Sequence, residues 1–204
     1  MNPENKKIVI FDFDGVLVDT LIASYDVFKE VNENVKLDEF KSLYEENLHE
    51  ALKNRKLISH PDYFCQYDKH TREIKVPNIL KKIVQELSLK YILAIVSSTQ
   101  TSSIEKILKR EDLLAYFDDV LGYDFTSNKV EKINNILKKY EISSENTVYI
   151  TDTLGDIREA QKCEVKSIAV TWGFHDRETL GKGNPITIID DPNDMLNTIN
   201  NMLK

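Results

Sequence analysis

Cysteine is scarce. The 204-residue chain holds two, Cys65 and Cys163, far apart and without the paired spacing of a zinc site or a redox couple, so they read as isolated thiols in a reducing compartment. Long apolar runs are missing as well: nowhere do about 18 uncharged apolar residues follow one another, as a membrane span requires. The opening "MNPENKKIVIFDFDG" has neither a long apolar region nor a cleavage site, which predicts a soluble cytoplasmic protein with no role for a membrane. Basic clustering is equally absent. Against 34 Asp and Glu there are 27 Lys and Arg, a formal net charge of -7, and no Lys/Arg run exceeds three, so nucleic acid is excluded as the expected partner. There are no repeats and no low-complexity tracts. His49, His60, His70 and His175 lack metal-ligand spacing, and "GKGNP" neither follows a strand nor opens a helix as a phosphate loop would, so it reads as a turn.

What the chain does have is 41% hydrophobic residues, enough for one domain or one domain with an insertion. Short apolar runs recur: "IVIF" at 8–11, "YILAIV" at 91–96, "TVYI" at 147–150, "SIAV" at 167–170 and "ITII" at 186–189, with "DDVLGYD" at 118–124 a weaker sixth. They are continuous rather than alternating, as in parallel strands covered on both faces. Between the later runs the spacing turns helical, as in Ile104, Ile107, Leu108 and in Ile133, Ile136, Leu137. Strand alternating with helix predicts an α/β fold with an open, doubly wound parallel sheet, Rossmann-like, whose ligand sits beyond the carboxyl ends of the central strands. The stretch 19–86 breaks the alternation. It offers helical periodicity in "YDVFKEV", "FKSLYEENLHEALKN" and "YFCQYDKH" without a strand, so the expected organisation is a core of 1–18 and 87–204 with an inserted helical module of 19–86.

Polar residues gather just past the predicted strand ends. Asp12 and Asp14 follow the first; Ser97, Ser98 and Thr99 follow "YILAIV"; Asp152 follows "TVYI", with Asp156 four residues on; Lys129 opens the helix after the weak strand. In an open parallel sheet these ends lie side by side, so residues distant in the chain meet in one crevice. Crowded carboxylates repel, and a hard divalent cation with oxygen ligands relieves them; magnesium fits, and it commonly shares its shell with a phosphate. A short hydroxyl and a lysine would then hold the remaining phosphoryl oxygens. One carboxylate can attack phosphorus while the other moves the proton. Gly15 lets the chain turn sharply beside them.

In this order, "DFDGVLVD", "ILAIVSS", Lys129 and "VYITDTLGDI" resemble the motifs of the haloacid dehalogenase-like hydrolase superfamily, and the helical insertion after the first motif is similar to that of members with a type 1 cap. The resemblance implies Asp12 as nucleophile, Asp14 as general acid/base, and Ser97 as the hydroxyl on the transferring phosphoryl group, with Ser98 beside it. It implies Lys129 as the lysine steadying nucleophile and phosphate. Magnesium would be held by Asp152, the Asp12 side chain and the Asp14 backbone carbonyl, with Asp156 on a metal-bound water. The substrate is then a small phosphorylated metabolite. Asp14 argues for phosphoryl chemistry, since dehalogenating members lack that carboxylate.

Thr151 and Gly155 depart from the fourth motif, which usually has Gly or an acidic residue at the first position and Asn at the second. The cap loop near "YEENLHEAL" lacks the glycine and basic residue common in sugar phosphomutases, which weighs against a mutase, the rival enzyme on the same residues. A non-catalytic phosphate-binding module of the receiver type would place its acceptor Asp on a later strand and carry no large insertion. Asn47 and His49 are expected in the cap loop, facing the site. Lys53, Arg55 and Lys56 nearby read as a solvated helix face balancing Glu45, Glu46 and Glu50.

Overall fold

Four consecutive buried residues, Ile8–Phe11, form β1 at the centre of a sheet, because both of its faces are covered. A computed structural model describes residues 6–204. After β1 come four helices, α1 (Leu21–Lys29), α2 (Leu37–Ser42), α3 (Leu48–Asn54) and α4 (Tyr63–His70). The chain then alternates: α5 (Asn78–Ser88), β2 (Ile92–Val96), α6 (Thr101–Arg110), β3 (Asp119–Leu121), α7 (Lys129–Tyr140) and β4 (Thr147–Thr151). It ends with α8 (Leu154–Lys162), β5 (Lys166–Val170), α9 (Arg177–Gly181), β6 (Thr187–Ile189) and α10 (Met195–Met202). Among the described residues no helix is long and apolar enough to cross a membrane.

The six strands are parallel in the order β3-β2-β1-β4-β5-β6, the doubly wound sheet expected from the sequence, and the weak run at 118–124 supplies its edge strand β3. Side chains alternate between faces. Val9, Phe11, Leu93, Ile95, Val148 and Ile150 pack against Leu80, Ile83 and Leu87 of α5, with α6 and α10 alongside; Ile8, Ile10, Ala94, Val96 and Tyr149 pack on the other side against Ile133 and Ile136 of α7. Strand order reverses direction between β1 and β4, where Phe11 pairs with Ile150. The crevice of a doubly wound sheet opens at that point.

Helices α1–α3 share a separate apolar cluster containing Phe28, Phe40, Leu43 and Ala51, which also takes in Phe174 from the loop after β5. The helical periodicity across "FKSLYEENLHEALKN" is broken in the middle. A 3-10 turn, Leu43–Glu45, closes α2, Glu46 is extended, and the Asn47 side chain accepts the backbone N–H groups of His49 and Glu50 to start α3. An Asn side chain competes for backbone donors in this way, which is why it caps helices better than it continues them.

Candidate active site

Asp12 leaves β1 directly beside β4, its N–H donating to the Ile150 carbonyl at 2.8 Å. Its carboxylate is buried, with Oδ1 accepting the Phe13 N–H at 2.7 Å and Oδ2 accepting Lys129 Nζ at 2.9 Å. Lys129 is the first residue of α7, aimed inward because Asn128 caps the helix through the Val130 N–H. The same Nζ reaches Asp156 Oδ2 at 2.7 Å and the Tyr149 hydroxyl at 3.2 Å. Asp156 lies in the first turn of α8, capped by Thr153, and Oδ2 also accepts the hydroxyls of Tyr149 at 3.1 Å and Thr151 at 2.8 Å. Thr151, where the family more often has Gly or an acidic residue, thus orients Asp156.

Asp152 is fully buried just beyond β4. Its Oδ2 accepts the Phe174 N–H at 2.7 Å, whereas Oδ1 is one of two buried side-chain atoms without a partner among the described residues. An unpartnered buried carboxylate oxygen is costly unless a cation meets it. Gly15 explains the close approach of the opposite wall: its φ is +71°, and a Cβ there would lie 1.9 Å from Asp152 Oδ2.

Asp14 points elsewhere. Its Oδ1 accepts Thr20 Oγ1 at 2.7 Å and the Tyr67 hydroxyl at 2.6 Å; its Oδ2 accepts Thr99 Oγ1 at 2.8 Å and Ser97 Oγ at 3.3 Å. Ser97 is fully buried, and its hydroxyl also accepts the Thr99 N–H at 3.0 Å, while Ser98 and Thr99 line the open cavity. A second lysine, Lys132, is fully buried one turn along α7 and donates to the Ser97 carbonyl.

Electrostatics follow from burial and from Lys129. Burial pushes the Asp12 carboxyl well above the usual carboxylate range against the pull of Lys129. Burial likewise pushes Asp152 up to about 7. It acts on Asp156 too, but there Lys129 and the accepted hydrogen bonds win and hold that carboxyl below its usual value. Lys129, though buried, is held above the ordinary lysine value by Asp12 and Asp156. Lys132 is pushed down to about 8 by burial and by Lys129.

The residues present fit a hard divalent cation in one way. Asp12 and Asp152 are close enough for the charge on Asp152 to raise Asp12, and the free Asp152 Oδ1 supplies an unspent oxygen. The side chains of Asp14 and Asp156 are committed to hydroxyls and to Lys129, and among the described residues no group of three or more acidic, His or Cys side chains converges on one point. One or two carboxylates with waters and a phosphate are what magnesium ordinarily takes.

Above the strand ends, a cavity of about 520 Å³ is lined by both the sheet loops and α1–α4. Asn47 and His49 line it: Asn47 Nδ2 donates to Glu159 Oε1 of α8 at 3.1 Å, and the His49 ring lies 5.3 Å from that of Tyr123, centroid to centroid. The segment before Asn47 rests on α8, with Arg158 donating to the Glu45 carbonyl at 2.7 Å. Gly155, where Asn is more usual, permits that seat. A helical alanine is ordinarily about 0.5–1 kcal/mol better than glycine, yet a Cβ here would stand 2.6 Å from the Glu46 carbonyl oxygen. Gly155→Ala is therefore expected to lower Tm and to speed amide exchange over residues 43–54; a higher Tm with unchanged exchange would refute this seating.

Sequence reasoning did not anticipate Thr20, Tyr67, Tyr149 or Lys132. A tyrosine inside the buried run "TVYI" was one available signal, since a buried phenol needs a partner. Lys132, one turn beyond Lys129 on the same helix face, was another. Tyr67, distant in the chain and in an ordinary helical pattern, gave none.

A family model described as haloacid dehalogenase-like hydrolase matches residues 9–170. The phosphoglycolate phosphatase of Vibrio cholerae is 24% identical over 141 residues, covering 68% of this chain and 62% of its own length, so this chain spans less than two thirds of that relative. Pyrophosphatase PpaX of Oceanobacillus iheyensis is 22% identical over 218 residues, with 95% of this chain and 96% of that protein covered. Among solved structures, a hydrolase from Pseudomonas syringae superposes with a TM-score of 0.82 at 18% identity, over 98% of this chain and 100% of that one, a likeness of fold. With the family's motifs at the strand ends and its model matching most of the sequence, the chain belongs to the haloacid dehalogenase-like hydrolases.

Proposed function

We propose that the protein is a magnesium-dependent phosphatase that hydrolyses a small phosphomonoester through an aspartyl phosphate on Asp12. The observation that carries this reading is Lys129, a buried cation bridging Asp12 and Asp156 while Asp152 keeps an unspent oxygen beside them. Asp12 and Asp152, with the Asp14 carbonyl, would hold the metal, which supplies charge neutralisation for the phosphoryl oxygens. Asp12 Oδ attacks phosphorus as the ester oxygen leaves. Asp14 gives that oxygen its proton, then takes one from the water that attacks phosphorus and frees Asp12 with inorganic phosphate. Thr20, Tyr67, Ser97 and Thr99 all donate to Asp14 and fix the direction of its carboxyl group. Ser98 at the cavity wall would bind a phosphoryl oxygen, while Lys129 steadies Asp12.

Helices α1–α4 act as the cap in this proposal, excluding water from the ester and sorting leaving groups. What supports it is the seat of the 43–47 segment on α8 and the cavity shared between them. Stripping divalent cations with a chelator is expected to reduce phosphate release at least about a hundredfold, with recovery on adding magnesium. Calorimetry should detect magnesium binding to wild type but not to Asp152→Asn. Full turnover under strict chelation would overturn the metal assignment.

A further inference from the structure

Resting on the phosphatase reading, we infer that the leaving group this site accepts is an uncharged planar aromatic, which makes the substrate an aryl or nucleoside phosphate monoester. Part of the cavity wall is made of rings. Phe64 of α4 and Tyr123 of the loop after β3 meet at 5.4 Å between centroids, His49 lies 5.3 Å from Tyr123, and Tyr63 meets Phe64 at 5.5 Å. All four line the same space as Asp12 and Asp14. Aromatic walls of this kind bind flat rings by stacking, with little dependence on which ring is offered. The volume, about 520 Å³, lies within the range of roughly 300–1,000 Å³ that suits ring-containing ligands.

Charge decides against the alternative leaving groups. Among the described residues, Lys129 is the only Lys or Arg in the lining, and it is spent on Asp12 and Asp156. Beyond the strand-end aspartates, the remaining acidic lining groups are Glu46, Asp62 and Glu159. The two lining histidines do not compensate: burial, then Lys132, lowers the affinity of His49 for a proton, and His60 is engaged by the Asp62 N–H and by Glu30 at 3.1 Å. Of the basic residues near the cap loop, Lys53, Arg55 and Lys56 are outside the lining, and Arg55 is turned away to donate to the Ser42 hydroxyl at 2.6 Å and the Ser42 carbonyl at 3.0 Å. A leaving group with a second anion, such as a carboxylate or another phosphate, would enter a carboxylate-lined space with no counter-charge. An uncharged ring meets no such penalty.

Phosphate release from the magnesium-loaded protein tests this. Phenyl phosphate and a nucleoside monophosphate are compared with phosphoglycolate and pyrophosphate, with acetyl phosphate as a reference whose leaving group is too small to reach the rings. The expected result is kcat/KM at least about tenfold higher for the two aromatic esters than for the two competitors whose leaving group carries a second anion. Tyr123, 38% exposed, can be changed without opening the core. Tyr123→Ala should lower the kcat/KM ratio of phenyl phosphate to acetyl phosphate about tenfold, mainly through KM, while Tyr123→Phe should hold that ratio within about threefold. A preference for phosphoglycolate or pyrophosphate, with acetyl phosphate turned over, overturns the aromatic assignment alone. Equal ratios in Tyr123→Ala and wild type also overturn it. Release from none of the five compounds overturns the phosphatase reading, and this assignment with it.

Discussion

Asp12→Asn is expected to abolish phosphate release while leaving the metal-free protein as stable as wild type, or more stable. The two halves have one cause. Asp12 sits where burial raises its proton affinity, so its ionised form is more costly in the folded protein than in the unfolded chain. An uncharged amide of the same shape removes that cost, and Lys129 keeps a full partner in Asp156. Yet the amide cannot attack phosphorus, and losing a nucleophile commonly costs a thousandfold or more in kcat. Phosphate release from phenyl phosphate, read beside Tm in chelator, checks both. Activity within tenfold of wild type would remove Asp12 from the chemistry. A collapse in Tm would mean that its carboxylate is a structural group instead.

Much of this arrangement was legible in the sequence because it depends on strand ends. The run "IVIF" is wholly buried, as a continuous apolar run implies, and its pairing with β4 brings residue 12 beside residue 152 by topology alone. Even the faint strand at 119–121 was readable, since an edge strand tolerates polar residues such as Asp119, whose carboxylate meets Lys139 at 2.7 Å. What the sequence withheld is side-chain partnership across helices. Ser97 follows β2 at the expected place, yet its hydroxyl turns to Asp14 because Thr99, two residues on, donates its N–H to it. That turn depends on the loop's backbone, which residue types do not dictate. Tyr67 closes on Asp14 over 53 positions, and only the packing of α4 against α1 decides that contact. The ring wall is of the same kind, assembled from α3, α4 and a core loop that no periodicity connects.

Lys129→Met is the substitution with the largest expected cost in stability, and its reason is opposite to that for Asp12→Asn. The lysine is 4% exposed and bonded to two carboxylates that are themselves buried. A methionine fills the volume but leaves Asp12 and Asp156 facing each other without a counter-charge, and breaking a buried ion pair from one side commonly costs about 3–5 kcal/mol. Tyr149 and Thr151 still donate to Asp156, yet two neutral hydroxyls do not replace a cation. Denaturant unfolding in chelator should give a loss of that size, together with loss of phosphate release. Adding Asp156→Asn separates charge from packing. If the cost arises from uncompensated carboxylates, the double variant recovers at least about 1 kcal/mol over Lys129→Met, an interaction energy well beyond additivity. If it falls further by the full cost of Asp156→Asn alone, the lysine matters through its packed stem and not through its charge.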